Sequence, residues 1–111
     1  MDIQEQRHGA VTVLKPKGAL TETEITQFRQ HLGRVMSSSL GRVAVDASEM
    51  PFVDSAGLEA LLEATEQMSR SGQALKLCAA NETVREVLDL TELSSQFEHF
   101  EDVKTAVRSF L

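Results

Sequence analysis

An aspartate, a serine and a glycine stand together in the middle of this chain, within the segment VAVDASEMPFVDSAGLEALLEA from Val43 to Ala64. An apolar run ends in Asp46, and eight residues later Asp54-Ser55-Ala56-Gly57 opens a leucine-rich helical pattern. A helix N-terminus presents free backbone N–H groups and the positive end of the peptide dipoles. Ser55 as N-cap would satisfy one of those donors, a contribution of about 1 kcal/mol. The same place suits a phosphoryl group on Ser55, whose oxygens would meet the N–H groups. Asp46, Glu49 and Asp54 would oppose that charge if they face the same way. Gly57 has no Cβ, so a backbone or a bulky group can come close to it. The residues alone leave both roles open for Ser55, and capping is the commoner of the two.

Catalytic uses of this serine are poorly supported. A hydrolase elbow needs G-x-S-x-G, and here Val53 occupies the first glycine position. The three histidines, His8, His31 and His99, are far apart in sequence, and no cysteine or carboxylate joins them at metal-ligand spacing. The six glycines are isolated, so no phosphate-cradling loop is present. The chain is expected to be a non-enzyme with no cofactor and no metal.

Composition narrows the partners. The formal net charge is −6 and the basic residues are scattered, which argues against phosphate backbones and anionic membranes. No apolar stretch has the length of a membrane span, and the first residues do not form a signal peptide. The single cysteine, Cys78, lies in the apolar run ALKLCAA and reads as a buried structural thiol, in keeping with a cytoplasmic protein. At 111 residues the chain is expected to be one domain, 1–111, with a single core.

The elements that must position Ser55 follow from periodicity. DIQEQR and AVTVLKPKG read as two extended segments with a turn at His8-Gly9. LTETEITQFRQHLGRVM places Ile25, Phe28, Leu32, Val35 and Met36 on one helical face, and Thr21 with Glu24 forms a capping-box signature before it. RVAVD is a short strand. The next helix starts at Ser55, with Leu58, Leu61, Leu62, Thr65 and Met68 on one face and Glu59, Glu63 and Glu66 on others. Ser71-Gly72 stops it. ALKLCA is a further strand, Asn81 caps a helix carrying Val84, Val87 and Leu88, FEHF is a last strand, and DVKTAVRSFL is a last helix. The order β-β-α-β-α-β-α-β-α implies an α/β fold: a mostly parallel sheet with one N-terminal antiparallel hairpin and helices packed on it. The loop from Asp46 to Ser55 then lies at the carboxyl ends of the strands, where such folds gather their sites.

FVDSAGLEALLEA resembles the signature of the STAS domain, and within it of the bacterial anti-sigma factor antagonists: an apolar residue, Asp-Ser, a small residue, Gly and Leu, here Val53 to Leu58. VAVDASEM is similar to that family's strand ending in aspartate, and PKGALTETE to its turn into the first helix. LKLCAANETVREVLDLTEL is similar to its fourth strand and third helix, so the likeness covers nearly the whole chain. The resemblance implies a partner-switching module that is a substrate and not a catalyst. Its unphosphorylated form would bind an anti-sigma factor that is a serine/threonine kinase, freeing a sigma factor. Phosphorylation at Ser55 would release that partner, and a serine phosphatase would reverse it.

Asp54 would shape the acceptor site, Gly57 would let the partner approach, and Ser55 would be both cap and switch. Thr21 stands where many relatives carry aspartate, and it would still cap the first helix. Met50, Phe52, Ala56 and Glu59 complete the expected contact surface. For the acidic helix face of Glu59, Glu63 and Glu66, solvent exposure alone is the commoner explanation, and within Met50-Pro51-Phe52 burial under the loop is an equal one. The alternative within the family is a docking subunit without phospho-switching, in a lipid-transport ABC importer or a stress-signalling complex. A receiver-like domain fits poorly, because TVLKPKG has no acidic pair and no strand ends in the lysine it needs. An unmodified domain in which Ser55 merely caps is the remaining reading.

Overall fold

The computed structural model describes residues 1–111. The chain begins with β1 (Asp2–His8) and β2 (Val11–Lys17), an antiparallel hairpin in which His8 faces Val11 across a two-residue turn. Gly9 sits in that turn at φ +65°, a conformation that costs a residue without Cβ little. Then follow α1 (Ile25–Ser38), β3 (Val43–Asp46), α2 (Ser55–Ser69), β4 (Lys76–Cys78), α3 (Glu82–Leu90), a short 3-10 turn, β5 (Glu98–Phe100) and α4 (Val103–Arg108). The expected order of strands and helices is present in full. β2, β3, β4 and β5 pair in parallel, and the sheet order is β1-β2-β3-β4-β5.

That order decides where the helices go. Each crossover advances one strand in the same direction, so right-handed connections deliver α1, α2 and α3 to one face. The main core forms there: Leu14, Val43, Val45, Leu75 and Leu77 from the sheet meet Phe28, Leu32, Leu61, Met68, Val84 and Leu88 from the helices. α1 buries Ile25, Phe28, Leu32 and Val35, with Met36 half-buried against the core. The buried stripe of α2 differs from the leucine pattern. It runs through Gly57, Ala60, Leu61, Ala64, Thr65 and Met68, leaving Leu58 and Leu62 half-exposed. Small residues let α2 lie close to the sheet and to α1, and the larger leucines are turned toward the rim.

The opposite face is thinly covered. α4 packs there over β3, β4 and β5, through a small cluster of Ala44, Cys78 and Ala106. Cys78 is buried, its thiol donates to the Val45 carbonyl at 3.4 Å, and burial, with Asp46 and Asp102 nearby, pushes it up to about 12. It is the inert structural thiol expected from its apolar setting. Lys76, paired with Glu98, holds the end of the chain by placing its ammonium over the Phe110 ring at 4.6 Å.

Candidate functional site: the loop entering the second helix

Three segments at the carboxyl ends of the parallel strands build the site. The turn after β2 and the loop after β3 are zipped together by backbone hydrogen bonds. Gly18 N–H donates to the Glu49 carbonyl (3.0 Å), Leu20 N–H to Phe52 (3.1 Å) and Asp54 N–H to Leu20 (3.1 Å). Leu20 and Val53 form an isolated parallel bridge. The third segment is the start of α3. Asn81 caps that helix by accepting from Val84 N–H at 2.8 Å, as expected. Its side-chain N–H₂ group also donates to the carbonyls of Met50 and Pro51, both at 3.2 Å. Asn81 therefore fixes the loop that leads to Ser55. A side-chain amide at an N-cap has donors to spare, which is the one hint its sequence gives.

The cap of α2 is Asp54, not Ser55. Asp54 is extended, at φ −90° and ψ −175°, because the bridge to Leu20 holds it so, and its Oδ1 accepts from Gly57 N–H at 2.9 Å. Its Oδ2 accepts from Glu22 N–H, also at 2.9 Å, so one carboxylate ties the entry of α2 to the turn before α1. These donors, Gly57 first and Glu22 second, hold the carboxyl below the usual aspartate range. Ser55 is consequently the first residue of the helix. It is exposed, and its hydroxyl makes no hydrogen bond within the chain. Ser55 is therefore not the cap, which corrects both the reading in which it merely caps and the cap half of the reading in which it is cap and switch.

Other expected members of the surface fall differently. Phe52 is 47% exposed beside Ser55, and Glu59 is exposed on α2, with Ala56 half-buried. Met50 is 1% exposed, a core residue beneath the loop, and does not reach the surface. Gly57 is also buried, and a Cβ there would meet the Leu20 carbonyl at 2.4 Å. Its missing side chain serves the chain's own packing and not the approach of a partner. Thr21 is half-buried and does not cap α1: residues 21–24 form a turn, and the helix begins at Ile25 without a side-chain cap. The capping box fails because Glu24 is drawn to the Met1 amino group at 2.9 Å.

No histidine hydrogen-bonds to Ser55. His31 pairs with Glu5 at 2.8 Å, His99 with the Ser94 carbonyl at 2.8 Å, and His8 lies at the far end of β1. Glu49, in the same loop, pairs with Lys15 at 2.9 Å. No cluster of His, Cys, Asp and Glu is placed to hold a metal ion, and no helix is long and apolar enough to cross a membrane.

A mixed five-stranded sheet with three helices on one face, a short fourth on the other, and an Asp-Ser pair opening the second helix is the arrangement of a STAS domain. The family profile described as STAS domain matches residues 2–106, and the chain belongs to that family. Among solved structures, a Thermotoga maritima protein described as a candidate anti-sigma factor antagonist superposes with a TM-score of 0.88 at 20% identity, over 96% of this chain and 92% of that one. An anti-sigma factor antagonist (STAS) domain protein from Planctomyces limnophilus gives 0.84 at 24%, over 98% and 97%. The anti-sigma factor antagonist SpoIIAA in its unphosphorylated form gives 0.78 at 17%, over 98% and 96%. A further similar structure is of Bacillus SpoIIAA in the phosphorylated form. These likenesses speak for the fold. No curated protein sequence matches the chain significantly.

Proposed function

We propose that this chain is a phospho-regulated partner switch of the anti-sigma factor antagonist type, with Ser55 as acceptor. Unphosphorylated, it binds an anti-sigma factor that is a serine/threonine kinase, and a sigma factor is freed. The kinase transfers the γ-phosphoryl group of ATP to Ser55 Oγ: the Oγ–P bond forms, the bond to ADP breaks, and the hydroxyl proton passes to a base on the kinase. A serine phosphatase hydrolyses the ester. The chain is substrate and switch throughout, acting in the cytoplasm.

The observation that carries this reading is the division of labour between Asp54 and Ser55. Asp54 performs the capping, so the Ser55 hydroxyl is exposed, unbonded and held at the first helical position. A phosphoryl group there adds about −1.5 to −2 charge beside Phe52 and Asp54, enough to spoil a surface that fits the neutral form. Phe52, Thr21, Ala56 and Glu59 border the same surface and are the proposed partner contacts.

Incubation with ATP and a serine kinase of the anti-sigma class, followed by mass spectrometry, tests it. Phosphate is expected on the peptide containing Ser55 and is absent from Ser55→Ala; phosphate that persists in Ser55→Ala removes the acceptor. Ser55→Asp should keep the fold and weaken the kinase complex by about tenfold or more, the loss expected when a charge is buried without a partner. Unchanged affinity would leave a docking subunit without phospho-switching.

A further inference from the structure

α1 and α2 each return between parallel strands, so they run in the same direction, side by side on the sheet. An open groove lies between them. Its first part, about 200 Å³, has Leu32, Gly33 and Met36 on one wall and Ala60, Ala64 and Gln67 on the other. Met36 and Gln67 continue it into a second hollow of about 160 Å³ that is bordered by Leu40. Arg29 and Glu63 meet across the groove at 3.1 Å, which sets the two helices level with each other.

Two residues along this groove bring the chain itself no benefit. Leu40 is 77% exposed and stands at φ +55°, just past the end of α1, where glycine or asparagine is the ordinary choice. Gly33 is exposed in the middle of α1, where glycine weakens a helix, and a Cβ there would meet nothing within 4 Å. Internal packing thus explains neither the apolar side chain at one position nor the missing one at the other. The charges also divide by helix. α1 carries Arg29 and Arg34 and no acidic residue, whereas α2 carries Glu59, Glu63 and Glu66 and no basic one.

We propose that this face docks a second copy of the chain, related by a two-fold axis running along the groove. That axis sets α1 of each copy over α2 of the other, in the same direction and at the same level. A basic helix then meets an acidic one at both crossings, while the alternative of α1 on α1 would set arginine against arginine. The Arg29 and Glu63 pairs of the two copies join into one cluster of four charges. Gly33 lets the helices come close, and Leu40 of each copy falls on the hollow beside Met68 and Ser71 of the other. Helices of 14 and 15 residues are about 21 Å long. Two of them about 10 Å apart offer a footprint of about 400 Å², half the ~800 Å² per partner of a standard interface. The dimer is accordingly weak, with a dissociation constant of roughly 0.1 mM. Ser55 lies at the other end of α2, and the inference does not rest on its phosphorylation.

Sedimentation equilibrium of the full chain from about 10 µM to about 1 mM tests it, a range that brackets the expected constant. The average mass should rise with concentration toward that of two chains. Gly33→Gln fills the groove and Leu40→Asn removes the apolar contact, and each should weaken association by about tenfold or more. The melting temperature of either variant in dilute solution should equal or exceed that of wild type, because each is the better residue for its backbone. Arg29→Glu should weaken association severalfold, and adding Glu63→Arg should restore it. A monomer throughout the range, or association unaltered in both Gly33→Gln and Leu40→Asn, would overturn the proposal. Lowered melting temperatures in both would also do so, since the two residues would then serve the chain's own fold.

Discussion

Asp54 and Ser55 are adjacent, both belong to the residue types that cap helices, and the structure gives them opposite tasks. Asp54 holds two backbone N–H groups from different segments, while Ser55 holds none. The pH dependence follows from the carboxylate. Its folded pKa lies below the ordinary aspartate value of about 3.9. The stability it contributes is thus complete above that value and is lost as pH falls through the lower folded one. Wild type should exceed Asp54→Asn in urea midpoint at pH 7, with the gap closing on acidification below about pH 4. A gap that stays constant down to pH 3 would show that the charge contributes nothing. Which of the two residues caps was not legible in the sequence, because a one-residue shift of the helix start satisfies either. The bridge from Leu20 to Val53, a contact between distant segments, makes the choice. The direction of Met50 was hidden for a related reason: in an irregular loop no period states which side chain points inward.

At the scale of elements, the close contact of the Leu20 turn with the first turn of α2 depends on Gly57. A Cβ there meets a backbone carbonyl, which cannot rotate aside. Gly57→Ala should cost roughly 1–3 kcal/mol through that clash, against up to ~1 kcal/mol gained from alanine's helix preference. A net loss of about 1–2 kcal/mol is expected by chemical denaturation; a variant as stable as wild type would mean that the turn can withdraw. Helix existence was well marked in the sequence. The stripes of α1 and α3 match their buried residues, and the caps at Asn81 and the stop near Gly72 stand where the residues put them. The lining of α2 was partly legible: Leu61, Thr65 and Met68 are buried as their spacing implies, whereas Gly57, Ala60 and Ala64 take the places given to Leu58 and Leu62.

Across the whole molecule, alternating strands and helices were enough to foresee a mostly parallel sheet led by a hairpin. They did not reveal that the strands follow one another across it without a reversal, because strand neighbours are set by packing between distant segments. The two faces consequently differ in strength. One carries three helices over a large core, the other a six-residue helix whose Ala106 packs on two small sheet residues, Ala44 and Cys78. Native-state hydrogen exchange should find α4 opening first and the amides of β2 and β3 last; equal protection of α4 and β3 would contradict this imbalance. The unbroken strand order also bears on synthesis. A ribosome releases the strands in the order in which they sit side by side, so each newly emerged parallel strand meets a neighbour already available for pairing. No place need be kept open in the growing sheet for a strand still to be made. The Ser55 turn can thus close on its Leu20 partner while the last strand and helix are still inside the exit tunnel.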